Sequence, residues 1–158
     1  MITEDDKLTY AGIYLLKKLD LPPEEGGVAL PVLLPHAWQP LEPVLDRLVL
    51  GGLLEIDRKR SRYVLTDRGV EHVGVLIDEI EAIIEELDDR DADEVVAILR
   101  RRNLDPLRVR FLWGWYQGEL DDLVLFQQRR GTAQVEHDWA LYLLSDDFYE
   151  ELGRDLGQ

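Results

Sequence analysis

Apolar residues recur along this chain in two rhythms, and each rhythm predicts its own kind of element. Between Thr3 and Asp20, Leu8, Ala11, Ile13, Tyr14, Leu15, Leu16 and Leu19 form a broad helical face, with Thr3 and Asp6 as a capping-box variant at its start. Leu41, Val44, Leu45, Leu48 and Val49 repeat that spacing up to Leu50, with Pro43 in the first turn and Gly51-Gly52 to supply a left-handed stop. Two short β-type runs follow, Leu53 to Asp57 and Arg62 to Thr66, around the basic turn Arg58-Lys59-Arg60-Ser61. Thr66-Asp67 then offers a helix N-cap. From Val70 the apolar positions Val70, Val73, Ile77, Ile80, Ile84 and Leu87 alternate three- and four-residue steps, a heptad seam that Leu76 and Ile83 widen.

The remainder reads as shorter helices. Asp91 to Arg102 has acids at its start and Arg100-Arg101-Arg102 at its end, as the helix dipole prefers. Asp105-Pro106 opens a helix predicted to run to about Arg130 before Gly131, carrying Phe111, Trp113, Trp115, Tyr116 and Phe126. Val135 to Leu152 holds Trp139, Leu143, Phe148 and Leu152, with Ser145 as an internal cap and a fraying tail after it. Leu21 to Gly27 is a turn by composition, and Val28 to Leu30 is a short strand able to pair with the hairpin. Pro31, Pro35, Pro40 and Pro43 crowd the next stretch; an interior proline costs about 3 kcal/mol of helix stability. Any second helix is therefore reduced to a turn or so from Pro31 to Ala37, or is irregular, with Trp38 as a packing anchor at the corner.

Helix, glycine stop, strand, basic turn, strand, helix is the order of a winged helix-turn-helix. The residues from Leu41 to Gly69 resemble the PadR-like branch of winged-helix transcriptional regulators, whose wing is shared with MarR-like relatives. That family reads L-Y-P-L-L-x-R-L-x-x-x-G-L-I-E and then Y-x-L-T-x-x-G. Leu41, Pro43, Leu45, Arg47, Leu48, Gly52, Leu53 and Glu55 match identically, Val44 and Leu54 conservatively, and Tyr63, Leu65, Thr66 and Gly69 complete the second half. The resemblance covers about a fifth of the chain. Gln39-Pro40 replaces the family's Gly-Thr and Glu42 stands where it has tyrosine, both on the surface that would meet DNA. The fold it implies is mainly α with a small β-wing: a winged-helix domain over 1–69, then a helical dimerisation and C-terminal region over 70–158.

Charge complicates that expectation. The net charge is −15, and duplex DNA is a dense polyanion. Yet five basic residues against one acid lie between Arg58 and Arg68, while Gly69 to Val95 holds eleven acids and only Arg90. Such segregation permits a basic tip on an acidic body. The chain has no cysteine, which excludes disulfides and thiolate metal sites. No apolar run approaches a membrane span and the N-terminal MITEDDK is unlike a secretory signal, so the expected setting is cytoplasmic with no membrane partner.

No catalytic constellation is visible. His36, His72 and His137 lie far apart without metal-ligand spacing, and neither a phosphate-binding glycine loop nor an HExxH helix occurs. The chain is expected not to be an enzyme and to need no cofactor. Asp121-Asp122 and Asp146-Asp147 read as solvated faces and caps. The candidate DNA-binding residues are Gln39 and Arg47, which can read adenine and guanine edges, and Arg58, Lys59, Arg60 and Arg62, which can neutralise phosphates. Glu42 and Asp46 share the outward helix face and favour a solvated surface there instead. Val70, Val73, Ile77, Ile80, Ile84 and Leu87 are the candidate dimer interface. Trp113, Trp115 and Tyr116 are the candidate effector pocket, as in regulators of this type that bind an aromatic effector, with plain core packing as the alternative. The expectation is a homodimeric DNA-binding transcriptional regulator, a repressor. Its rival is a winged-helix adaptor that binds another protein within an assembly and no DNA.

Overall fold

The computed structural model describes residues 2–20, 30–120 and 141–154. It is mainly helical, with one small antiparallel sheet. Helix α1 (Glu4–Asp20) starts on a reciprocal capping box: the Thr3 amide donates to Asp6 Oδ2 at 3.0 Å and the Asp6 amide to Thr3 Oγ1 at 3.1 Å. Those bonds hold the Asp6 carboxyl below its ordinary pKa. The apolar face of α1 buries Tyr10, Ala11, Ile13, Tyr14, Leu15 and Leu16. Around it pack α2 (Glu42–Leu50), α3 (Asp67–Leu87), strand β2 (Arg62–Leu65) and a 3-10 helix at Leu141–Leu144. Helix α4 (Ala92–Arg101) lies on α5 (Pro106–Gln117), and α6 (Asp146–Arg154) closes the far side of α5. The buried residues form one continuous cluster that runs across position 69. Among the described residues no helix is long and apolar enough to cross a membrane.

The proline-rich stretch resolves differently from the expected turn at Pro31–Ala37. Its helical piece is a 3-10 helix at His36–Leu41 that contains Pro40 and runs straight into α2, where Pro43 occupies the first turn. Of the short strand expected at Val28 to Leu30, only Leu30 is described. Val28 and Ala29 fall outside the described residues, but Leu30 accepts from the Tyr63 amide at 2.9 Å and Val32 donates to Ser61 at 2.9 Å. Residues 30–32 thus lie along β2, opposite β1 (Leu54–Asp57), with Pro31 bridged to Arg62.

Helix α5 ends well before the expected Arg130. Gly118 adopts φ 79° and its amide turns back to the Trp115 carbonyl, a left-handed stop that the apolar pattern alone does not register. Phe126, Trp139 and the Asp121-Asp122 pair lie outside the described residues. The cap read from sequence at Asp105 does appear, accepting from the Leu107 amide at 3.0 Å, and Asp91, read as the first helical residue, is itself a cap that accepts from the Glu94 amide at 2.8 Å.

Aromatic packing joins the ends of the chain. The Tyr10 ring lies 4.7 Å from Phe111 and 5.7 Å from Tyr149, and Phe148 meets both Phe111 and Tyr149 edge-on. The Tyr149 hydroxyl donates to the Leu143 carbonyl at 2.8 Å. Burial pushes Tyr10 up to about 12 and raises Tyr149 as well.

Two predictions follow from this packing. A Cβ at Gly69 would stand 2.3 Å from the Leu53 carbonyl oxygen and 2.7 Å from Leu65 Cδ1, whereas one at Gly74, in the same helix, would meet nothing within 4 Å. Gly69→Ala is therefore expected to cost about 3 kcal/mol or more in urea unfolding, and Gly74→Ala to stabilise by about 0.5–1 kcal/mol through helix propensity. For pH, both tyrosines hold their protons more tightly folded than unfolded. Their contribution is intact below the unfolded value of 10.0 and is lost as pH rises toward about 12. Tyrosinate absorbance should accordingly rise together with loss of helical circular dichroism in that window, rather than before it.

Candidate nucleic-acid interface

The candidate residues fall on two adjoining elements, α2 and the β1–β2 hairpin. The hairpin turn is built by Asp57, whose Oδ1 accepts from the amides of Lys59 at 3.1 Å and Arg60 at 3.4 Å, and by Ser61 at φ 52°. Arg58, Lys59 and Arg60 lie on this turn, exposed, and none has an ion-pair partner among the described residues. Arg62 stands one strand position inward and half-buried; its Nε is shielded from solvent without an acceptor. Among the described residues the hairpin therefore carries four cations without an ion-pair partner.

Helix α2 is amphipathic as the spacing predicts, burying Val44, Leu45 and Leu48. Its outward face carries Glu42, Pro43, Asp46, Arg47 and Leu50. Both candidate base-reading side chains are engaged within the chain. Arg47 Nη2 pairs with Asp5 Oδ1 of α1, and Gln39 Nε2 donates to the Leu34 carbonyl at 3.2 Å. The two carboxylates of α2 are felt on the hairpin: Tyr63, opposite Ile56 in the register, has its phenol pKa raised by burial first and then by Asp46 and Glu42. Positive charge thus does not run unbroken from Arg47 to Arg62. Leu50 at 88% exposure and Leu33 at 90% add apolar tips to this side chain inventory.

The long helix divides its apolar positions differently from the heptad seam. The positions that α3 buries against its own chain are Leu76, Ile80, Ile83 and Leu87. Ile80 is fully enclosed, so in this conformation Ile80 and Leu87 offer nothing to a second copy. Of the candidate interface, Val70 is exposed and Val73, Ile77 and Ile84 are half-buried. The seam is rotated because α1 and α5 both pack on α3, and two neighbours cover more of its circumference than one coiled-coil partner would. The acids of α3 are partly relieved by the same packing: Glu79 pairs with Arg108 at 3.3 Å, Glu86 with Arg102, and Glu81 accepts from the Tyr116 hydroxyl at 3.2 Å.

Among the described residues the three candidate pocket residues have different surroundings, although the Trp113 and Tyr116 rings lie 6.4 Å apart. Trp115 is buried in the core with Lys17 Nζ 5.4 Å from its ring centroid, and Tyr116 points to Glu81. Trp113 alone lines a cavity of about 340 Å³ between α3, α4 and α5, together with Ile80, Ile83, Ile84, Val95 and Leu99. Adjacent residues on one helix are separated by about 100°, so 113 and 115 diverge. The residues missed by sequence reasoning are Asp5, Leu33 and Leu34: the first is 42 positions from the arginine it pairs with, and no local pattern marks such a partner. No family model, curated protein or solved structure matches this chain.

Proposed function

We propose that the chain is a winged-helix transcriptional regulator that binds duplex DNA as a homodimer, gripping it through the hairpin more than through α2. The observation that carries this reading is the set of four cations, Arg58, Lys59, Arg60 and Arg62, that have no ion-pair partner among the described residues, on one hairpin of a chain whose net charge is −15. An acidic protein that leaves these charges unpaired on an exposed turn offers a local anchor to a polyanion despite its overall repulsion. The order of 3-10 helix, α2, hairpin and α3, with residues 30–32 along β2, suits a winged helix-turn-helix whose hairpin is the wing. In that arrangement the wing tracks the phosphates and α2 lies in the major groove. Phosphate contacts position the protein, and Arg47 and Gln39 supply the base contacts once they leave their internal partners.

A specific observation favours a second reading, an adaptor that binds another protein. Glu42 and Asp46 share a face with the exposed Leu50, a combination that suits an apolar contact ringed by charge better than it suits phosphates.

A salt titration on duplex DNA tests the first reading. If about two of the four wing cations per protomer reach phosphates, a dimer makes about four such contacts. Counterion release then assigns them a slope of about −3.6 in log affinity against log salt. Changing Arg58, Lys59, Arg60 and Arg62 together to alanine should flatten the slope by that amount and leave thermal stability close to wild type. If the wild type binds neither random-sequence duplex nor fragments from upstream of its own gene at low salt, the DNA reading fails and the adaptor stands.

The dimer has its own test. Ile77→Glu puts a charge on the half-exposed side of α3 and should shift sedimentation from dimer to monomer with the fold retained. Ile80→Glu puts it in the core of one chain and should unfold the protein, at a cost of several kcal/mol. A wild type that sediments as a monomer at micromolar concentration removes the dimer from this proposal.

A further inference from the structure

Three helices leave a space between them that the described side chains do not fill. Helix α4 rests on α5, and the four residues 88–91 join it to α3, with Asp89 at φ 63° turning the chain. The cavity between α3, α4 and α5 measures about 340 Å³. Ile80, Ile83 and Leu87 of α3 and Val95 and Leu99 of α4 give it aliphatic walls, and Trp113 of α5 is its aromatic wall among the described residues. Protein interiors hold few voids larger than a water, because wall atoms that face a void forfeit their dispersion contacts. One longer side chain at Val95 would close part of this space, yet the chain keeps a short one there. The charged groups are placed apart from these walls. Asp88, Asp89 and Arg90 are exposed and so border the cavity on its solvent side. Arg110 is largely enclosed, its side chain 13% exposed, and both oxygens of Glu119 accept from it, at 2.5 and 3.2 Å.

We propose that this cavity is a binding site for a neutral, apolar small molecule of about two fused rings that carries one hydrogen-bond donor. An apolar cavity of about 150 Å³ admits benzene, and this one has more than twice that volume. Its size falls at the lower end of small-molecule sites, which are mostly apolar with a few polar groups that fix orientation. A flat guest enters between α3 and α4 and rests against the Trp113 indole. Its hydroxyl donates to Asp88 or Asp89 on the solvent side, a bond strengthened by the carboxylate charge. Neutrality follows from the surroundings. An anion meets Asp88 and Asp89 at the entrance and finds Arg110 already matched by Glu119, whereas a cation meets Arg90 and Arg110. Either ion would also give up water to aliphatic walls. The site is independent of the DNA reading, since neither α2 nor the hairpin lines it.

The experiment titrates the full chain at neutral pH with three probes that share one ring system: 2-naphthol, the 2-naphthoate anion and the 2-naphthylmethylammonium cation. Calorimetry should show one 2-naphthol per chain with a Kd on the order of 10–100 μM. At ten times that concentration the melting temperature should rise by about 3–5 °C. Both ions should bind at least about tenfold more weakly, the factor that about 1.4 kcal/mol represents. Val95→Phe extends a ring into the cavity; it should weaken 2-naphthol at least about tenfold while melting at or above the wild-type temperature. Trp113→Leu removes the aromatic wall and should weaken it severalfold, which locates the site even if Val95→Phe fails to fold. Absence of saturable binding overturns the proposal, as does binding that neither substitution weakens. Equal affinity for either ion overturns the assigned chemistry. A Val95→Phe protein that sediments as a smaller species than wild type makes a second copy the occupant, and overturns it too. No DNA enters these measurements, so their failure leaves the DNA reading standing, and failure of the DNA reading leaves the cavity site standing.

Discussion

At the junction of α2, the hairpin and α3, one backbone approach sets the geometry of all three. The Leu53 carbonyl accepts from the Thr66 amide at 3.1 Å and lies so near Gly69 that no side chain fits there. The Thr66 hydroxyl donates to the Gly52 carbonyl at 2.6 Å and accepts from the Gly69 amide at 3.0 Å. One side chain thus caps α3 and fastens it to the glycine that ends α2, whose φ of 75° lets the chain reverse into β1. Without this clasp the hairpin could pivot on α2, and a pivoting hairpin could not hold its cations at a fixed distance from the helix beside it. The placement of every candidate interface residue is downstream of these contacts.

Helix α3, which the clasp launches, divides its circumference among several demands. One stripe is buried against α1 and α5, one is half-buried, and the outer stripe is acidic. Like charges at helical spacing oppose the helix by about 0.2–0.5 kcal/mol per pair. Bonds from Arg108, Arg102 and Tyr116 answer three of its carboxylates, so the helix is stabilised by its neighbours rather than by its own surface. The negative charge then lies on the body of the molecule and the unpaired positive charge on the hairpin tip.

The chain's charge is arranged consistently at the smaller scale. On α2 the single arginine is matched by Asp5 and flanked by Glu42 and Asp46, while among the described residues no carboxylate pairs with the hairpin cations.

Local chemistry was legible in the amino-acid order wherever the deciding partner lies within a few residues. The capping box at Thr3 and Asp6, the caps at Thr66 and Asp105, the glycine stop after Leu50, the basic turn and the apolar faces of α1 and α2 all belong to this class. Such features depend on backbone hydrogen bonds and side-chain periodicity that one segment contains by itself. Tertiary structure decided what depends on which segment becomes the neighbour. The heptad pattern of α3 identified its apolar side, but α1 and α5 chose which residues of that side are enclosed, and so moved Ile80 from a surface for a second copy to the core of its own. Trp113 and Trp115 were equivalent as letters until the direction of α5 sent one to a cavity and the other to the core. The pairing of Arg47 with Asp5 was equally out of reach, because a carboxylate 42 positions away becomes a neighbour only when two helices pack.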